Sequence, residues 1–329
     1  MEYRFFDYES FILKQNEKRA LKRTALSVGL SILVYFVSSF LMGLILFLPT
    51  NYLLGTVTTV EMYDVVYEGY TALCYLVPMV LAILPIAILT RIPFRVAVPM
   101  RRVPARVTIP SIMMILGCSI MGIIITSVLL TLFQSAGLGY DVPMPEVPQT
   151  TVGIVMYFIT LSVLPAIFEE LLFRGFMLQS LRRFGDWFAI IISSLIFALF
   201  HGNFTQLPNA FIMGIAIAFV TVRTGSMIPG MILHFINNFV ASAISVFLVA
   251  NVTETVEIIV NLIYIGSYFL LGILGLVIII STQPSFFNLK KPDSPLTRGE
   301  RTKAFFLQPV ALVGMLLMFG YCFVFFAQL

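Results

Sequence analysis

The chain has 329 residues, 59% of them apolar and only 11% charged, with a mean hydropathy of +1.00. A soluble domain carries about 25% charged residues, so this composition argues against a soluble fold. The formal charge of +4 needs no nucleic-acid partner, because the basic residues cluster beside apolar runs.

Apolar runs recur from end to end with no long polar block between them. This predicts an all-α fold: one polytopic helical membrane domain over residues 24–329, preceded by a cytoplasmic N-terminal segment, residues 1–23. That segment is polar and ends in Lys14, Lys18, Arg19, Lys22 and Arg23, which predicts no cleavable signal peptide. The cysteines, Cys74, Cys118 and Cys322, lie in apolar runs without metal-ligand spacing, so neither a disulfide framework nor a zinc knuckle is expected.

In chain order, spans are predicted near Thr24–Leu48, Thr71–Thr90 and Ile109–Phe133. Pro78 and Pro85 should kink the second, which membrane helices tolerate. A long fourth helix is expected over Thr151–Phe184, then spans near Trp187–His201, Pro208–Val222, Met227–Ala250, Ile258–Ser281 and Phe305–Ala327. The segments between them alternate in charge. Arg91, Arg95, Arg101, Arg102 and Arg106 share one loop, and Lys290, Lys291, Arg298, Arg301 and Lys303 another. Glu61, Asp64, Glu68, Asp141 and Glu146 occupy loops of the opposite set. Nine spans with a cytoplasmic N-terminus follow from basic loops staying inside.

One stretch breaks the apolar pattern of the fourth helix: Phe168-Glu169-Glu170-Leu171-Leu172-Phe173-Arg174. Charges at such depth are costly and require a partner or a purpose. Glu170 and Arg174 are four apart in the favourable acid-first order, so they are expected to pair. Glu169 points about 100° away from that pair, free for chemistry. The only histidines, His201 and His234, also fall in apolar runs, and Asn238 shares a helix face with His234.

Two depth arguments bring these groups together. Glu170 lies about fifteen residues before the turn at Gly185-Asp186, and His201 about fifteen after it, so an antiparallel pair sets them level. The Pro208–Val222 span rises only ~22 Å, short of a ~30 Å hydrocarbon core. The polar turn Gly202–Gln206 should therefore line a cavity that ends at His201.

The residue types narrow the chemistry. No serine or cysteine has a nucleophile context, and the candidate spans hold no aspartate pair. Water activated by a carboxylate is left, since burial makes a carboxylate a stronger base. Histidine could share the proton work, and an imidazole with an asparagine amide could stabilise an oxyanion. Zinc held by Glu169, His201 and His234 is the rival, although the His-Glu-x-x-His spacing is absent. A transporter would bury similar groups, but usually with repeated halves, and none are visible. A catalytically silent membrane scaffold or immunity factor would keep the same core.

Glu169-Glu170-x-x-x-Arg174, Phe197-x-x-x-His201 and His234-x-x-x-Asn238, in that order on successive spans, resemble the CAAX protease and bacteriocin-processing (Abi) family of membrane endopeptidases. The resemblance covers residues 150–250. It implies peptide-bond hydrolysis without a covalent intermediate, in a multi-helix membrane core. By motif match, Glu169 with His201 would activate water, His234 with Asn238 would form the oxyanion site, and Glu170 with Arg174 would support them. Expected partners are a membrane-associated protein or peptide substrate and the lipid bilayer. The compact motif region looks like the bacterial type, which suggests a bacterial cell membrane.

Overall fold

The computed structural model describes residues 8–142, 145–249, 253–289 and 293–328. Lys290 and Lys291 of the expected basic loop lie outside the described residues. The first helix, α1 (Tyr8–Thr56), runs unbroken from the basic segment into the first span. At 49 residues and about 1.5 Å per residue it is long enough to project well beyond a bilayer. Next come α2 (Val60–Thr90), capped by Thr59, the short α3 (Phe94–Ala97) and α4 (Ala105–Ser135). Pro78 and Pro85 lie inside α2 without ending it.

The strand β1 (Leu138–Tyr140) follows, and then the long helix Thr151–Phe184, built from α5 (Thr151–Phe158), α6 (Leu164–Glu170) and α7 (Leu178–Leu181) with wider or tighter turns between. Beyond Gly185 come α8 (Asp186–Phe200), α9 (Leu207–Thr224), α10 (Ile228–Val249) and α11 (Glu254–Thr282). Last are α12 (Arg298–Phe306), α13 (Pro309–Tyr321) and β2 (Phe326–Gln328).

Among the described residues, seven helices are long and apolar enough to cross a membrane. The pair Arg298–Phe306 and Pro309–Phe325, bent by 72°, makes an eighth if it is one span. The protein is an all-α, integral multi-pass membrane protein. The remaining expected pass, Trp187–His201, is α8, whose 15 residues rise only ~22 Å. Its length reflects its destination: it ends inside the bundle at His201.

Burial explains the layering. The Thr151–Phe184 helix, α8 and α9 form the centre, with Leu172, Phe173, Leu178, Leu181, Ile190, Ile196 and Ala218 wholly enclosed. On α11, by contrast, Ile258, Leu262, Ile263 and Leu270 face outward, as lipid-facing side chains do. Lipid supplies no hydrophobic drive between helices, so close backbone approach holds the outer ones. Gly117 of α4 meets Gly272 of α11 so closely that a Cβ on either would lie 2.4 Å from the other's Cα.

A small antiparallel pair of strands joins β1 to β2, with Leu138 opposite Gln328 and Tyr140 opposite Phe326. The all-α reading contained no strands. They seat a tyrosine that organises one end of the bundle: Tyr140 Oη donates to the Cys322 carbonyl at 2.9 Å and accepts the Phe204 N–H at 2.7 Å. The turn between α8 and α9 is thereby pinned. Within it, Asn203 Oδ1 accepts from Thr205 Oγ1 and Gln206 N, and Asn203 Nδ2 donates to the His201 carbonyl. The polar turn expected at membrane depth is satisfied by its own side chains.

Candidate active site

The helix that carries the carboxylates departs from α geometry on both sides of them, with π-helical turns at Ile159–Val163 and Leu171–Met177. Such turns are frequent at functional positions. Pro165 has no N–H, so the carbonyl of Leu161, four residues earlier, lacks its α-helical donor. Asn238 of α10 replaces it, its Nδ2 donating to the Leu161 oxygen at 3.1 Å. The start of the helix is tied to α2 by Asp64, whose Oδ2 accepts from Gln149 N, Thr150 N and Thr150 Oγ1.

Glu170 is fully buried and forms the anticipated ion pair, with Arg174 Nη1 3.0 Å from its Oε1. The same oxygen accepts His234 Nδ1–H at 2.9 Å, a contact between α6 and α10. Gly230 lets α10 come this close, because a Cβ there would stand 2.7 Å from Ile217 and 3.2 Å from Glu170 Oε2. The Arg174 guanidinium lies over the Phe197 ring, 4.1 Å from its centroid. A delocalised cation on an aromatic face loses less on leaving water than a compact one would.

Glu169 faces the other way, as helix periodicity requires. Its Oε1 accepts the Tyr75 hydroxyl at 3.0 Å. Its Oε2 is buried without a hydrogen-bond partner and lies 3.7 Å from His234 Nε2. A buried carboxylate oxygen with no donor is costly in a folded protein and calls for an explanation. His201, at the end of α8, donates Nδ1–H to the Phe197 carbonyl at 2.9 Å, which leaves Nε2 for the interior.

Glu169, His201, His234 and Asn238 all line one cavity of about 470 Å³, while Glu170 and Arg174 stand behind it. All six sequence-predicted residues therefore gather at one place. Tyr75 and Asn237 also line it and were not anticipated. A phenol in the middle of an apolar run was the only hint of Tyr75, and no spacing ties α2 to the three motifs. Among the described residues, no group of three or more His, Cys, Asp or Glu side chains is placed to hold a metal ion.

The fold and this centre define a class: polytopic membrane proteins with a buried carboxylate–histidine cavity. Residues 148–240, about a quarter of the chain, match the family described as type II CAAX prenyl endopeptidase Rce1-like. All three motifs fall inside that segment. An Escherichia coli protein described as an uncharacterized 24.3 kDa protein is 29% identical over 87 residues, which are 25% of this chain and 40% of that protein. The chain thus spans well under two thirds of that relative's length. No solved structure matches the chain.

Proposed function

We propose that this protein is an intramembrane endopeptidase that cleaves peptide bonds of membrane-associated proteins or peptides with an activated water. The observation that carries the reading is Glu169, which lines a cavity together with His201, His234 and Asn238 and whose buried Oε2 has no hydrogen-bond donor and lies 3.7 Å from His234 Nε2. A water beside that oxygen gives up its proton to Glu169, and the resulting hydroxide attacks the scissile carbonyl. His201, presenting Nε2, shares the proton transfer toward the leaving amine.

Also on the cavity wall, His234 in its doubly protonated form, through Nε2–H, and the second amide hydrogen of Asn238 face the oxygen that becomes negative. Glu170 holds the His234 ring through Nδ1, as the buried carboxylate of a hydrolase triad holds its imidazole. Tyr75 fixes the orientation of Glu169. On this reading no cofactor is required.

The test is cleavage of a quenched peptide library by purified protein in detergent. Glu169→Gln should abolish turnover, and so should His201→Ala and His234→Ala. Wild-type rates in Glu169→Gln would remove the proposed base. Loss of activity on dialysis against a strong chelator, restored by zinc, would replace this scheme with a metal-dependent one.

A further inference from the structure

The cavity occupies only one half of the bundle. On the Thr151–Phe184 helix its lining residues run from Tyr157 to Glu169 and none lie beyond. On α10 they run from His234 to Ser245, and none come before. The turn between α8 and α9 contributes Thr205 and Gln206, and Pro145 stands at the rim. Below the carboxylates the other half is packed shut by Phe173, Arg174, Met177, Leu181 and Phe184, each no more than 1% exposed.

The two ends of the bundle differ in their basic residues. The chain has 20 Lys and Arg, and every one except Arg174 lies in residues 1–23, 91–106, 182–183, 223 or 290–303. Contacts show that the described parts of these segments share one end. Lys14 pairs with Glu300, and Arg301 donates to the Phe184 carbonyl. Ser226 Oγ donates to the Arg101 carbonyl, and Arg223 donates to the carbonyls of Ser285 and Asn288. Among the described residues, the other end, which carries the cavity mouth, has no Lys or Arg and holds Glu61, Asp64, Glu68, Asp141, Glu146, Glu254 and Glu257.

Basic segments stay in the cytoplasm. We infer that the mouth of the cavity faces the extracytoplasmic side, so the bond cleaved is presented from there. This inference rests on the peptidase reading and narrows its substrates. They are exported or membrane-anchored peptides with the cleavage site just outside the membrane, rather than cytoplasmic chain ends. The rim is consistent with an internal bond. A free C-terminal carboxylate would meet no cation there, and the buried Arg174 is paired with Glu170.

The test is labelling of single added cysteines, Gln206→Cys and Ser245→Cys, by a bulky membrane-impermeant maleimide in right-side-out and inside-out vesicles. Thr302→Cys at the basic end serves as the opposite marker, and the unsubstituted protein in parallel supplies the blank for Cys74, Cys118 and Cys322. Both cavity cysteines should label in right-side-out vesicles only, and Thr302→Cys in inside-out vesicles only. Cavity labelling in inside-out vesicles alone, in both, or in neither would overturn the inference, provided the thiols react after SDS. Because labelling needs no turnover, it separates the two readings. An active protein with a cytoplasmic mouth loses only the orientation, and an inactive Glu169 with an outward mouth loses only the chemistry.

Discussion

Consider first the removal of Arg174. Its guanidinium is 1% exposed and the Glu170 side chain 0%, with 3.0 Å between Nη1 and Oε1. In Arg174→Met the carboxylate keeps only the His234 contact through Oε1, and its Oε2 already lacks a hydrogen-bond partner. Breaking such a pair on one side costs about 3–5 kcal/mol, because the remaining charge is buried alone. The sulfur of methionine stays over Phe197 and recovers a small part, roughly 0.3–1.5 kcal/mol. Glu170→Gln should cost a similar amount, this time by stranding the arginine. The double variant Glu170→Gln with Arg174→Met leaves no lone charge, and the glutamine carbonyl still accepts His234 Nδ1–H. It should therefore lie within about 1–2 kcal/mol of wild type, well above the sum of the single losses. Unfolding of all four proteins in detergent closes the cycle. Additive losses, with the double as unstable as the two singles combined, would show that the residues do not depend on each other and refute the argument.

Other outcomes follow from the same contacts. Asn238→Ala strands the Leu161 carbonyl, at about 1–3 kcal/mol, and removes an oxyanion donor, at roughly 10²–10³ in rate. Since Pro165 is what deprives Leu161 of its donor, the stability loss should shrink in a Pro165→Ala background while the rate loss persists; an unchanged stability loss would contradict the assignment. Tyr75→Phe removes the hydroxyl held by Glu169 at 3.0 Å, a charge-assisted bond of about 1.5–3 kcal/mol. Its kcat should fall with folding intact by circular dichroism, and full activity would make Tyr75 a bystander. Gly117→Ala drives a methyl against Gly272 and should destabilise the α4–α11 contact by about 1–3 kcal/mol. Gly43→Ala, with open space around it, should be neutral or mildly stabilising; equal thermal shifts in the two variants would refute the packing argument.

Much of this protein is legible without coordinates. Apolar run length commits the chain to the membrane, because an unpaired backbone in hydrocarbon leaves helices as the available structure. Helix periodicity alone separates Glu170, paired with Arg174, from Glu169, turned elsewhere. The sites of Lys and Arg mark one end of the bundle. These features are local or additive along the chain. Other contacts belong to the tertiary structure alone: Tyr75 on Glu169, His234 on Glu170, Asn238 on Leu161, and the β1–β2 pair that seats Tyr140. Each depends on how helices are rotated and set against one another. In a soluble protein an amphipathic stripe reveals that rotation, since one face must avoid water. Here lipid is as apolar as the core, so the outward faces of α2, α10 and α11 read in sequence much like the inward ones. Only close packing at residues such as Gly117, Gly230 and Gly272 decides which face turns in, and with it which side chains meet at the cavity.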